Sequence, residues 1–216
     1  MKMANNFFKE AEKTLVTTEK GVLDLIKCKY SKIDEYYVIP ATPATGIIYI
    51  INDFISGHLR MRGNTNGSYP YRYLEMIEAV FGKAEHTFEA CSGNVKPNNN
   101  TTTADIRMVD NVDIVVDCQD LNSLQINSFD RWRCDPPYNA QAAKKMWNTE
   151  LPDTMKLLKA GSRVVVPGGL FFLLSSQNYQ WHPKSLKRIG CILLTIVPNN
   201  EIRAINIFLK LEESEK

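Results

Sequence analysis

Trp132-Arg133-Cys134-Asp135-Pro136-Pro137-Tyr138 is the stretch on which the fold turns. A short run ending at Cys134 reads as a strand, and two prolines stop it in a sharp turn, because proline fixes φ and donates no hydrogen bond. A helix follows from about Gln141 to Lys159, with Ala160-Gly161 as its glycine stop. The apolar run Leu170–Ser175 then reads as the next strand. Strand, crossover helix and strand in this order make a parallel pair.

Working outward, the same pattern holds over the second half of the chain. Strands are predicted near His86–Ala90, Thr103–Ile106, Ile114–Val116, Ile192–Val197 and Ala204–Leu209. The loop from Pro198 to Arg203 is too short for a parallel crossover, so the last strand is expected to run antiparallel. The fold class expected is α/β, a mainly parallel, doubly wound sheet of seven strands with an antiparallel last strand. Two arginines, Arg131 and Arg133, are out of character in a central parallel strand, which is ordinarily a near-continuous apolar run.

The first third of the chain is less regular. Residues 5–27 carry Phe7, Phe8, Leu15, Val22, Leu25 and Ile26 at helical spacing. A short strand-like run occupies Gly46–Ile51, the glycine- and asparagine-rich MRGNTNGSYPYRY from Met61 marks a loop, and Tyr73–Phe81 predicts a helix. From these shifts the chain divides into an N-terminal extension over 1–67, a main domain over 68–211 and a charged tail over 212–216.

Composition excludes several classes. The chain has 216 residues, 44 % hydrophobic and 23 % charged, as expected of a globular protein. A net charge of +2 gives no global signature of a polyanion partner, so any nucleic-acid surface has to be local. Five scattered cysteines without a Cys-x-x-Cys pair argue against a disulfide framework or zinc site, and no metal is expected. No apolar stretch approaches the roughly 20 residues needed to span a bilayer, and no signal-peptide core opens the chain. The expected location is cytoplasmic. His86 and His182 have no ligand or triad context.

In an open α/β sheet the ligand crevice lies beyond the carboxyl ends of the strands, which is where Asp135 falls. Its carboxylate, with the Pro136 carbonyl, suits the NH₂ of a base. Hydrogen bonds from that group would draw its lone pair out of the ring and expose it to a methyl sulfonium. Tyr138 offers a ring on which an extruded base stacks. The bland alternative is a strand-ending Pro-Pro turn with a packing tyrosine.

Asp135-Pro136-Pro137-Tyr138 resembles the signature of the S-adenosylmethionine-dependent amino-methyltransferases, in the form most typical of DNA adenine-N6 enzymes. Some RNA base methyltransferases share it. The resemblance implies a Rossmann-like class I methyltransferase fold, with Asp135, Pro136, Pro137 and Tyr138 catalytic. It extends upstream: Phe88-Glu89-Ala90-Cys91-Ser92-Gly93-Asn94 is similar to the glycine turn that the cofactor approaches, implying roles for Glu89, Ala90 and Gly93. Asp105 stands where an acid binds ribose hydroxyls, and Asp117 where one accepts from the cofactor's adenine amine. Ser68-Tyr69-Pro70-Tyr71 resembles the motif preceding the glycine turn in circularly ordered members.

The family pattern is also broken. Gly93 and Asp105 lie only twelve residues apart, with Lys96-Pro97-Asn98-Asn99-Asn100 between them, so the first crossover is expected to be a loop. About forty residues separate Gly93 from Asp135, which leaves no room for a target-recognition domain. Recognition is expected from the N-terminal segment, short loops, a homodimer or a partner subunit. Tyr138, Asn139, Lys144 and Lys145 are candidate substrate contacts, Asn139 also as a helix cap. His58, Arg60, Arg62, Lys184, Lys187 and Arg188 are further candidate phosphate contacts. The expected partner is nucleic acid, DNA ahead of RNA, with no membrane. Alternatives are an RNA base methyltransferase and a catalytically silent partner subunit. A Rossmann oxidoreductase is disfavoured, because no Gly-x-Gly-x-x-Gly follows the first strand.

Overall fold

The computed structural model describes residues 35–39, 45–64 and 67–212. The predicted helix over 5–27 lies outside them. The described chain forms ten strands: β1 (Glu35–Ile39), β2 (Thr45–Ile51), β3 (Phe54–Arg62), β4 (Thr87–Ala90), β5 (Thr101–Asp105), β6 (Ile114–Val115), β7 (Phe129–Cys134), β8 (Val165–Ser175), β9 (Leu186–Val197) and β10 (Glu201–Lys210). Helix α1 spans Tyr73–Phe81 as predicted, and α2 (Ala140–Ala142) runs into a π-helix at Ala143–Trp147. Helix α3 spans Thr154–Val164.

The chain divides into two compact units. Of the described residues, the first comprises 35–39, 45–64, Tyr69–Lys83 and Ile189–Ile202, and the second 67–68, Ala84–Arg188 and 203–212. In the first, β3 pairs antiparallel with β2 and parallel with β9, and β1 pairs antiparallel with β2. β3 alternates strictly, with Ile55, Gly57, Leu59 and Met61 buried and His58, Arg60 and Arg62 exposed. One side of α1 is buried through Tyr73, Met76, Ile77, Val80 and Phe81.

The second unit holds the parallel core, in the order β10-β8-β7-β4-β5-β6. β7 pairs parallel with both β8 and β4, β4 with β5, and β5 with β6. β10 runs antiparallel to β8, as the short final loop requires. Strand order reverses between β4 and β7, the topological switch point of this Rossmann-like sheet. Phe88, Ala90, Trp132, Cys134, Phe171, Leu173 and Phe208 form its core with Leu157, Leu158 and Val164 of α3.

Four expectations need correction. The strand count is not seven, because the N-terminal part supplies β1, β2 and β3 where one strand was expected. Within the second unit the β7-to-β8 connection carries the helices and loops join β4 to β5, β5 to β6 and β6 to β7, so the sheet is not doubly wound. The single helix expected over 141–159 is two. Asn148 takes a left-handed φ of 53° and ends the π-helix, and Asp153 caps α3 by accepting from the Met155 and Lys156 N–H groups. Gly161 does not stop α3 but lies inside it. A Cβ there would stand 2.8 Å from Trp132 Nε1 and 3.0 Å from Phe171, so the glycine lets the helix approach the sheet.

Candidate active site

The glycine turn follows directly from the end of β4. Cys91 adopts φ 51° and Gly93 φ 55°, left-handed values that fold the chain back at once. A Cβ on Gly93 would meet Gly67 O at 2.5 Å, and the same carbonyl accepts from Asn94 N at 2.9 Å. Asn111 braces the turn by donating from Nδ2 to Gly93 O (3.1 Å) and Val95 O (2.6 Å). No helix follows before β5, as expected from the short spacing.

Asp105, at the end of β5, is buried. It accepts from Gly93 N at 3.1 Å, from Arg107 N at 3.0 Å and from the Arg107 side chain at Nε (3.0 Å) and Nη2 (3.1 Å). Burial would raise its pKa, but the hydrogen bonds from Arg107 and Gly93 outweigh that effect and hold the carboxyl below its ordinary value. Gly67, Gly93, Asn94, Arg107, Met146 and Trp147 line an open cavity of about 370 Å³, within the size range of small-molecule sites. Asp117 is exposed; its carboxylate accepts from Gln119 N at 2.9 Å and from Gln119 Nε2, while Gln119 Oε1 accepts from Asp153 N at 2.8 Å.

Ala90 and Cys134 are register partners, so the ends of β4 and β7 lie side by side and the glycine turn neighbours Asp135. Asp135 is half-buried and accepts a hydrogen bond from the Tyr138 hydroxyl. The Arg203 guanidinium of β10 lies 4.9 Å from the Tyr138 ring centroid, a cation–π arrangement. Pro136 is buried and Pro137 half-buried. Asn139 caps α2 by accepting from Ala142 N at 2.7 Å. Lys144 and Lys145 are exposed on the π-helix, whose next residues, Met146 and Trp147, face the cavity. π-helical turns are rare and gather at functional sites.

The two arginines of β7 are now accounted for. Arg133 Nε donates to Glu89 Oε2 at 2.7 Å in a buried ion pair, and Arg131 lies 5.5 Å from the Phe172 ring centroid. Glu89 therefore sits inside the sheet, engaged with Arg133. Beneath the turn, Cys91 N donates to Cys118 Sγ at 3.4 Å.

The structure thus gathers Ala90, Gly93 and Asp105 at one turn, with Asp135 and Tyr138 on the neighbouring strand end. Arg107, Met146, Trp147 and Arg203 were not singled out from the sequence. Arg107 was findable as a cation two residues beyond an acid at a strand end. Arg203 carries no local signal, because only the pairing of β10 with β8 places it in this unit. Tyr69, in the motif expected before the glycine turn, is buried and stacks on Tyr73 at 4.6 Å in the first unit.

No family model and no curated protein matches the chain. Solved structures resemble it only distantly. TrmN from Thermus thermophilus is 11 % identical with a TM-score of 0.43, over 59 % of this chain and 44 % of TrmN, so less than half of TrmN is spanned. The N-methyltransferase NodS from Bradyrhizobium japonicum WM9, in complex with S-adenosyl-L-homocysteine, is 10 % identical with a TM-score of 0.44, over 65 % of this chain and 86 % of NodS. The [4+2]-cyclase SpnF is 10 % identical with a TM-score of 0.46, over 70 % of this chain and 86 % of SpnF.

Proposed function

We propose that the chain is an S-adenosylmethionine-dependent methyltransferase acting on the exocyclic amino group of a nucleic-acid base, adenine N6 of DNA in the first instance. One observation carries this reading. Asp135 stands half-buried at the carboxyl end of β7, at the strand-order reversal, beside the glycine turn that ends β4.

The residues present fit the cofactor. Gly93 keeps the turn open where a side chain would collide with Gly67 O, and the adjoining cavity offers Trp147 and Met146 as apolar walls with Asn94 as a polar group. Asp105 and Asp117 are the acids that would hold ribose hydroxyls and an adenine amine. When bound, the cofactor supplies a methyl group on a sulfonium, an electrophile that needs no activation. The chain's own task is the nucleophile. The Asp135 carboxylate and the Pro136 carbonyl accept hydrogen bonds from the base NH₂, which returns its lone pair to the nitrogen. Tyr138 donates to Asp135 and so fixes the carboxylate's direction. Its ring, with Arg203 beside it, is the stacking platform for the flipped base. Asn139, Lys144 and Lys145 flank this platform as substrate contacts.

We read residues 68–211 as the domain that carries this chemistry and 1–67 as an extension that contacts substrate or partner. Target recognition then comes from that extension, a homodimer or a partner subunit. Transfer of labelled methyl groups from S-adenosylmethionine to DNA and to RNA, followed by nucleoside analysis, tests the proposal. The expected product is N6-methyladenine in DNA; product in RNA alone changes the polymer. Cofactor bound without transfer to any nucleic acid moves the chain to the rival reading of a silent partner subunit. The observation favouring that rival is that Arg107 occupies the carboxylate meant for ribose.

A further inference from the structure

We propose that the exposed face of β3 in the first unit is a docking surface for a nucleic-acid backbone, with Arg60 and Arg62 contacting successive phosphates and His58 beside them. The inference rests on nucleic acid being the substrate, and it places the first contact in a unit distinct from the one holding Asp135.

The alternation of β3 is what aligns these side chains. With Ile55, Gly57, Leu59 and Met61 buried, His58, Arg60 and Arg62 all point the other way. They form a row at intervals of roughly 6.7 Å, twice the rise of a strand residue. β3 is an interior strand, paired on one side with β2 and on the other with β9. A guanidinium in the middle of a sheet face gains from an opposite charge directly across on a neighbouring strand. Among the described residues their register partners are neutral. His58 is in register with Ile47 and Leu193, Arg60 with Thr45 and Thr195, and Arg62 with Val197.

Among the described residues neither Arg60 nor Arg62 takes part in an ion pair. His58 is steadied by a 2.8 Å hydrogen bond between its Nε2 and Thr195 Oγ1. Two guanidinium charges side by side on a sheet, without an ion-pair partner among the described residues, are complementary to a polymer of regularly spaced anions. The surface beside the row is apolar: Leu193 is 42 % exposed and Ile47 and Tyr49 are half-buried. Cationic groups on the backbone next to apolar and aromatic surface under the bases is the arrangement by which single strands are held.

Fluorescence anisotropy of labelled single- and double-stranded oligonucleotides, measured on the full chain over a salt series, tests the surface. The charge reversal R60E/R62E should weaken binding at least about tenfold and flatten the salt dependence, each lost phosphate contact removing roughly 0.7–0.9 from the log–log slope. The milder R60Q/R62Q should fall between it and the parent. K156E/K159E makes the same charge change on α3 and should bind nearly as the parent does; calorimetry with S-adenosylmethionine and circular dichroism report whether each variant is intact. Equal loss in both charge reversals overturns the proposal, as does an unchanged slope in R60E/R62E. A parent protein that binds acidic proteins but no nucleic acid overturns it too. Methyl transfer that fails while R60-dependent binding persists strikes the catalytic reading and leaves this surface supported; transfer that persists with binding indifferent to R60E/R62E strikes the surface alone.

Discussion

Arg107 grips the carboxylate of Asp105 with two nitrogens, at 3.0 and 3.1 Å, and leaves few acceptor positions on that acid for a ribose. Under the proposed function this pair has to loosen before a nucleoside is held. R107A is therefore expected to bind S-adenosylmethionine several-fold more tightly in calorimetry, and D105A at least about tenfold more weakly, the loss of charge-assisted hydrogen bonds being worth roughly 1.5–3 kcal/mol. Weaker binding in R107A would make Arg107 a cofactor contact rather than a latch.

Tyr138 has two separable parts. Y138F keeps the ring and loses the hydroxyl that donates to Asp135, so kcat should fall with KM for nucleic acid little changed. Y138A also removes the platform, and a stacking contribution of about 1–3 kcal/mol corresponds to a further loss of roughly 5- to 150-fold in kcat/KM. D135A should abolish transfer and leave cofactor affinity within about twofold of the parent. Steady-state kinetics on one oligonucleotide with all three variants reads these differences; activity surviving in D135A would remove the carboxylate from the mechanism.

Gly161 provides a test of the packing. G161A puts a methyl group against the Trp132 ring at 2.8 Å and Phe171 at 3.0 Å, both fully buried. Although alanine favours helices, overpacking should dominate and cost about 1–3 kcal/mol in urea unfolding. A stabilised G161A would mean that α3 can lift from the sheet.

Burial pushes the Cys134 thiol up to about 11, so the folded chain holds this proton more firmly than the unfolded one. The stability this confers is fully present below the ordinary thiol value and is lost as pH rises through about 11. Urea midpoints followed from pH 8 to about 11 should fall less steeply in C134A than in the parent. Parallel curves would show that Cys134 titrates alike in both states.

Much of the second unit was legible because its signals are local. Two prolines end β7 whatever surrounds them, and Pro198–Arg203 is too short to cross a sheet. The end of the 141–159 helix was not legible, since Gly161 is a stop signal in sequence and a packing device beside Trp132. β3 was missed because Gly57 interrupts its apolar alternation and its arginines resemble a loop. The partner of Arg133 was invisible for another reason: Glu89 is distant in sequence and meets it only through the register of β4 with β7. At the site, Asp135 could be found by its neighbours in sequence, whereas Arg203 reaches Tyr138 only through the pairing of β10.

The Glu89–Arg133 pair has a consequence for descent. Losing either member strands a charge in the sheet interior, at a cost of about 3–5 kcal/mol, whereas replacing both together by apolar residues is close to neutral. Neither position can drift alone, so homologues should either keep both residues or exchange both at once. That coupled inheritance would mark kinship in chains too diverged for similarity along their length to reveal it.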